Sequence, residues 1–203
     1  MVVSALKRLS AESVAVGFES GDTVKTTLGT VADMRLYVGM ELDEAAFEEL
    51  KRSSSKALAR DRALEILSRR QYSARELKDK LTAKGLDADE AEECVGWLEE
   101  RGYINDAEYA RSIVRHYAAK GCGPARIRAE LGRRGVGREL WDEALDEMPE
   151  GSDKLDEFIS RRLSDPNDRE SVRKVGAALF RRGYSWDEIK AALRRFSSDT
   201  EEN

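Results

Sequence analysis

The feature that most constrains this chain is a short helical phrase that recurs at nearly constant spacing. Leu77 and Leu81 precede Gly85, Ile127 and Leu131 precede Gly135, and Val175 and Leu179 precede Gly183. Two apolar residues four apart share one face of a helix, and a glycine just beyond them supplies the left-handed residue that ends it. The glycines lie 50 and 48 residues apart. A period of that length implies one supersecondary unit used three times in tandem.

The helix starts repeat as well. Ser73 with Glu76, Asp87 with Glu90, Asn105 with Glu108 and Ser185 with Glu188 have the spacing of capping boxes, and Val136-Gly137 with Trp141 follows it loosely. Tyr72, Tyr103 and Tyr184 are expected to act as staples or junction packing. From residue 56 on, the pattern predicts nine helices, at 56–70, 74–84, 88–101, 106–119, 125–134, 138–147, 152–163, 168–182 and 186–195. The expected fold is mainly α: three tandem three-helix repeats in an elongated array, bounded at 56–104, 105–149 and 150–203, with a disordered tail from Ser197. The breaks at Glu150-Gly151-Ser152 and Ser164-Asp165-Pro166-Asn167 suggest a looser join to the third repeat.

Residues 1–55 read differently, as an N-terminal extension. Val14–Phe18 and Thr23–Thr27, separated by Glu19-Ser20-Gly21-Asp22, have the β-branched enrichment and turn chemistry of a hairpin. A short helix from Asp43 to Arg52 follows. Ser53-Ser54-Ser55 reads as a linker or as the approach to the next helix.

Charge narrows the function classes. The chain carries 35 Lys and Arg against 40 Asp and Glu, a net charge of −5, so nucleic-acid contact has to be local. Residues 56–84 carry +5, residues 87–101 carry −6, and residues 111–138 carry +7. In that last segment Arg111, Arg115, Lys120, Arg126, Arg128, Arg133 and Arg134 are the candidate contact residues. On the 106–119 helix, Tyr109, Ile113 and Tyr117 form the expected buried stripe with Val114 at its edge, and Arg111 and Arg115 fall opposite. That arginine pair suits either a solvated or intramolecular role or contact with a phosphate or an acidic protein; Glu108 is assigned to its capping box.

The corner Lys120-Gly121-Cys122-Gly123-Pro124 has neither the spacing nor the preceding strand of a phosphate loop. Pro124 at a first helical position makes it a tight turn between helices, although a helix start flanked by Lys120 and Arg126 can still receive a phosphate or carboxylate. Cys94, Cys122 and His116 are too few and too scattered for a zinc site, and no metal or cofactor is expected. His116 lacks a neighbouring acid and nucleophile, and no carboxylate pair is marked out for acid–base work, so the chain reads as non-enzymatic. Trp97, Trp141 and Trp186 are expected in the core. Neither a signal peptide nor a membrane span is read, so the expectation is a cytoplasmic protein with free thiols.

Arg62-Ala63-Leu64 through Arg69-Arg70, Tyr72-Ser73 with Glu76-Leu77 and Lys80-Leu81, Gly102-Tyr103-Ile104-Asn105-Asp106 with Tyr109-Ala110-Arg111, and Lys120-Gly121, Gly123-Pro124 and Arg126-Ile127 together resemble the RecX family of bacterial recombination regulators. The resemblance covers residues 57–195 and is weakest in the third repeat. Its motif positions here are Tyr103, Asn105, Asp106, Tyr109, Gly121, Gly123, Pro124 and Ile127. It implies a non-enzymatic monomer that lies in the groove of the RecA nucleoprotein filament and suppresses strand exchange, ATP hydrolysis and co-protease activity, with single- or double-stranded DNA as a further partner. The competing reading is a stand-alone helix-turn-helix-like DNA-binding regulator; a general helical scaffold is a third, supported by architecture alone.

Overall fold

A computed structural model describes residues 1–148 and 152–201. These residues fall into two compact units, one built from residues 1–71 and 77–104, the other from residues 72–76 and from Asn105 onward.

The first unit begins with β1 (Val3–Arg8), β2 (Ser13–Phe18) and β3 (Thr23–Thr27) in an antiparallel sheet of order β1-β2-β3. The expected hairpin is β2-β3; β1 is an addition to it. Its Val3 is buried while Lys7 and Arg8 are exposed, so it lacks the alternation by which a strand announces itself. Val3, Val16 and Phe18 pack with Leu36, Leu42 and Leu50 into a small core. Helix α1 (Leu28–Asp33) starts at Thr27, whose hydroxyl accepts from the Thr30 N–H.

Helix α2 (Glu44–Leu67) corrects the linker expectation, because Ser53-Ser54-Ser55 lies in its interior. Ser54 is buried and donates a 2.8 Å hydrogen bond to Oγ1 of Thr26, itself fully buried on β3. Ser54 is thus a small polar residue that lets a helix lie close against a strand, while Ser53 and Ser55 donate to Glu49 and Glu90. Ser54→Ala should cost about 1–2 kcal/mol in urea unfolding, because the Thr26 hydroxyl loses its donor without access to water. Unchanged stability would show that this hydrogen bond contributes nothing.

The second half of α2 is also the first helix of repeat one, which continues with α3 (Ala74–Ala83) and α4 (Ala88–Glu100). Ala59, Ala63, Leu77, Leu81, Ala91 and Leu98 are buried there. Asp87 caps α4, but its carboxylate accepts from the Asp89 N–H rather than from Glu90.

In the second unit, repeat two comprises α5 (Asp106–Ala119), α6 (Pro124–Arg133), a 3-10 turn (Arg138–Leu140) and α7 (Trp141–Asp146). The expected single helix over 138–147 is therefore split. Trp141 is half-buried, and its indole N–H donates to the Val136 carbonyl at 3.0 Å. Tyr109, Ala110, Ile113 and Val114 meet Ile127 and Leu131 in the core, so Val114 sits inside the stripe and not at its edge.

Repeat three comprises α8 (Ser152–Ser160), α9 (Arg169–Arg181) and α10 (Trp186–Glu201) around Leu155, Ile159, Leu163, Leu179 and Ile189. Ser185 and Glu188 form the complete reciprocal capping box, with bonds of 2.6 and 3.2 Å. The helix runs on through residue 201, which replaces the tail expected from Ser197; residues 202–203, and the 149–151 part of the expected break, lie outside the described residues. Gly85, Gly135 and Gly183 all have positive φ, as the repeated helix stop requires. Among the described residues no helix is long and apolar enough to cross a membrane.

Candidate nucleic-acid interface

The basic segment resolves into cations with very different surroundings. Arg111 pairs with Glu108, with Glu143 at 2.8 Å and with Glu147 at 2.9 Å, and its side chain is 27% exposed. Arg115 pairs with Glu108 at 2.7 Å and Glu147 at 3.5 Å. Both arginines thus form ion pairs within their own repeat. Glu108 keeps its N–H on the Asn105 side chain, while its carboxylate turns to the arginines instead of closing the box. Hydrogen bonds from Arg115, then Arg111, hold that carboxyl below its ordinary range.

Arg133 and Arg134 converge on Glu130, whose side chain is 12% exposed. Hydrogen bonding by Arg133, joined by Arg134 and Tyr117 and opposed by burial, holds the Glu130 carboxyl down to about 2. Arg134 also donates to the Tyr109 hydroxyl at 2.6 Å, which donates in turn to Glu76. Arg128 reaches Asp142 at 3.3 Å. Lys120 stands over the Tyr117 ring, and neither it nor Arg126 is ion-paired with a described residue.

The motif residues have structural work. Asn105 is the α5 N-cap. Asp106 accepts from the Ala74 N–H at 2.9 Å; burial pushes its carboxyl up, and that hydrogen bond opposes the shift. Ile127 is fully buried, Pro124 opens α6 and Gly121 has φ +71°. Tyr103 corrects the staple expectation: it is 55% exposed and stacks on Trp97, a half-buried ring that Arg60 and Arg101 also approach. Trp186 corrects the core expectation in the same way, being 49% exposed and stacked on Phe180.

One pattern of contact recurs within the second unit, to which residues 72–76 at the start of α3 belong. The start of a second helix meets the turn that ends the second helix of the following repeat. Ser73 donates from its hydroxyl to the Arg134 carbonyl at 2.6 Å; fifty residues on, the Gly123 N–H donates to the Arg182 carbonyl at 2.9 Å. The Ala125 N–H adds a bond to the Gly183 carbonyl at 3.1 Å. A Cβ on Gly123 would collide with the Gly183 backbone and stand 2.5 Å from the Tyr184 nitrogen, and one on Gly183 would strike Arg126. The corner is glycine because two backbones touch there.

Beside this joint opens a cleft of about 300 Å³ that sequence reasoning missed. Lys120, Lys154, Arg161, Arg162 and Arg182 line it, with Glu157 and Phe158. Glu157 pairs with Lys154 at 2.9 Å and Arg161 at 2.7 Å. The guanidinium carbons of Arg162 and Arg182 lie 4.7 and 4.5 Å from the centre of the Phe158 ring. Arg182 also donates to the carbonyls of Lys120 and Gly121, at 3.3 and 3.4 Å. Only the Arg-Arg repetition before Gly135 and Gly183 hinted at it.

Models of the RecX family match the chain in three places: the first three-helix domain over residues 59–98, the second over 105–145 and the third over 159–193. A regulatory protein RecX of Stenotrophomonas maltophilia (strain R551-3) is 38% identical over 136 residues, 66% of this chain and 83% of that protein. The chain belongs to the RecX family. A crystal structure of regulatory protein RecX superposes with a TM-score of 0.73 at 23% identity, covering 96% of this chain and 98% of that one. RecX from Lactobacillus salivarius gives 0.64 at 24% identity, over 70% and 97%. The RecX match to the first domain begins inside α2, so extension and first repeat share a helix.

Proposed function

We propose that this chain is a non-enzymatic regulator that acts in the cytoplasm as a monomer, binds RecA nucleoprotein filaments and inhibits their recombinase, ATPase and co-protease activities. The observation that carries the reading is the run of three RecX domains in order along the chain, together with its 38% identity to a relative called a regulatory protein. The domain division at 56–104, 105–149 and 150–203 belongs to the same proposal.

The ion pairing supports a narrower choice of filament-facing cations. Arg111, Arg115, Arg128, Arg133 and Arg134 neutralise carboxylates of their own repeat, and surface pairs of this kind leave little field for a partner. Lys120 and Arg126 keep their charge for an external anion. Added to RecA on single-stranded DNA, the protein should suppress ATP hydrolysis, and Arg126→Gln should weaken that several-fold with an unchanged melting temperature. Undiminished hydrolysis at stoichiometric protein would refute the reading. Tight, sequence-dependent binding to naked duplex without RecA would favour the stand-alone regulator instead.

A further inference from the structure

We infer that the cleft between repeats two and three is a binding site for the backbone phosphates of a nucleic-acid strand, with Lys120, Arg162 and Arg182 as its phosphate ligands. The inference deepens the filament reading and rests on it for the origin of the strand, but not for the site itself.

The arginines of repeat two that the charge count picked out, Arg111, Arg115, Arg133 and Arg134, are each paired with a carboxylate of their own repeat. The cleft is different in that it gathers cations in one concave place. Among the described residues its one lining carboxylate, Glu157, is taken up by Lys154 and Arg161. Lys120, Arg162 and Arg182 line the same space with no carboxylate partner among the described residues. Like charges gathered in a concave site focus a positive potential, which an external anion relieves.

The chemistry of the lining favours phosphate over an acidic peptide. Arginine forks match phosphate oxygens in paired hydrogen bonds, and lysine acts beside them as a point charge. A peptide would need a desolvated apolar anchor as well. The aromatic side chain that lines the cleft, Phe158, already carries the Arg162 and Arg182 guanidiniums at 4.7 and 4.5 Å. Such a site follows a strand's backbone without reading its sequence. Arg182 adds a structural consequence. Its guanidinium also holds the Lys120 and Gly121 carbonyls, so a bound phosphate would sit on the side chain that bridges the two repeats.

The test uses the full chain and a fluorescein-labelled oligothymidylate, without RecA, titrated at several salt concentrations. The double variant K120Q/R162Q removes two ligands that make no ion pair with a described residue, and K7Q/K25Q removes the same charge from the sheet. K120Q/R162Q should bind about tenfold more weakly at low salt, with a log–log salt slope reduced by about 1.4, the value for two single-strand phosphates, while K7Q/K25Q behaves as wild type. Unaltered melting of both variants, followed by circular dichroism, keeps folding out of the comparison. Equal affinity and slope in K120Q/R162Q and wild type would overturn the site. Displacement of the oligonucleotide by polyglutamate as readily as by unlabelled oligothymidylate, at equal charge, would overturn the assignment to nucleic acid. Cleft-dependent oligonucleotide binding by a wild type that leaves RecA ATPase untouched would sink the filament reading and support the site.

Discussion

Gly183→Ala is expected to destabilise the protein by at least about 3 kcal/mol, among the largest effects a single methyl group can have. Two independent costs add at this position. Its φ of +94° is one that residues with a Cβ rarely adopt, a penalty of about 1–3 kcal/mol. The methyl would also lie 2.7 Å from the Arg126 Cβ and collide with the Arg126 backbone nitrogen. A flexible side chain could swing aside, but a backbone cannot do so without parting the repeats. Parting them breaks the bonds from Gly123 to the Arg182 carbonyl and from Ala125 to the Gly183 carbonyl. Urea unfolding gives the free energy, and limited proteolysis should show early cleavage near the Gly123 corner. Gly96→Ala is the natural control, because Gly96 sits within α4 with open space where a Cβ would go and should gain roughly 0.5–1 kcal/mol. A Gly183→Ala protein as stable as wild type would remove the backbone contact from the account of how these repeats are joined.

Glu130→Gln should cost about 2–3 kcal/mol at neutral pH and change the acid limb of the stability curve. The Glu130 carboxyl is held at about 2, against an ordinary value of 4.5, chiefly by Arg133. A carboxyl depressed on folding binds fewer protons in the native than in the unfolded state, so its contribution is fully present above about pH 4.5. It is lost as the pH falls from there toward 2. Each pH unit of depression corresponds to about 1.4 kcal/mol, and the mostly buried side chain justifies retaining most of that sum. Glutamine keeps the shape and one acceptor but leaves Arg134, 24% exposed, beside a neutral partner. Stability measured from pH 7 to 2 should therefore fall less steeply below pH 4.5 in the variant. Parallel curves would mean that Glu130 is not the group that titrates.

The parts of this fold that were legible in the sequence are those set by neighbours a few residues apart. Helix stops at Gly85, Gly135 and Gly183 and caps at Ser73, Asn105 and Ser185 depend on local backbone chemistry, and local backbone chemistry is written in the chain. What stayed hidden depends on distant partners. Ser54 looked like part of a linker because its partner, Thr26, is 28 residues away. The role of Arg111 stayed open between internal pairing and external contact because Glu143 is 32 residues away on another helix. β1 is a strand because β2 offers it an edge, and its own side chains barely report that. The basic cleft was out of reach for the same reason. Its cations come from the end of α5, both ends of α8 and the turn after α9, so a count of charge along one continuous segment divides the site.

Helix α2 carries a further consequence, one of rotational phase. Because the sheet packs on its first half and repeat one on its second, the two share a single helical screw, and each residue of that screw turns by about 100°. One residue inserted among Ser53, Ser54 and Ser55 would move Ser54 off Thr26 and swing the sheet about a third of a turn around the first repeat. The sheet and the first repeat are thereby tied to one helix length, so exchange of the extension between relatives should succeed at Asp43, ahead of the screw, and fail at the serines.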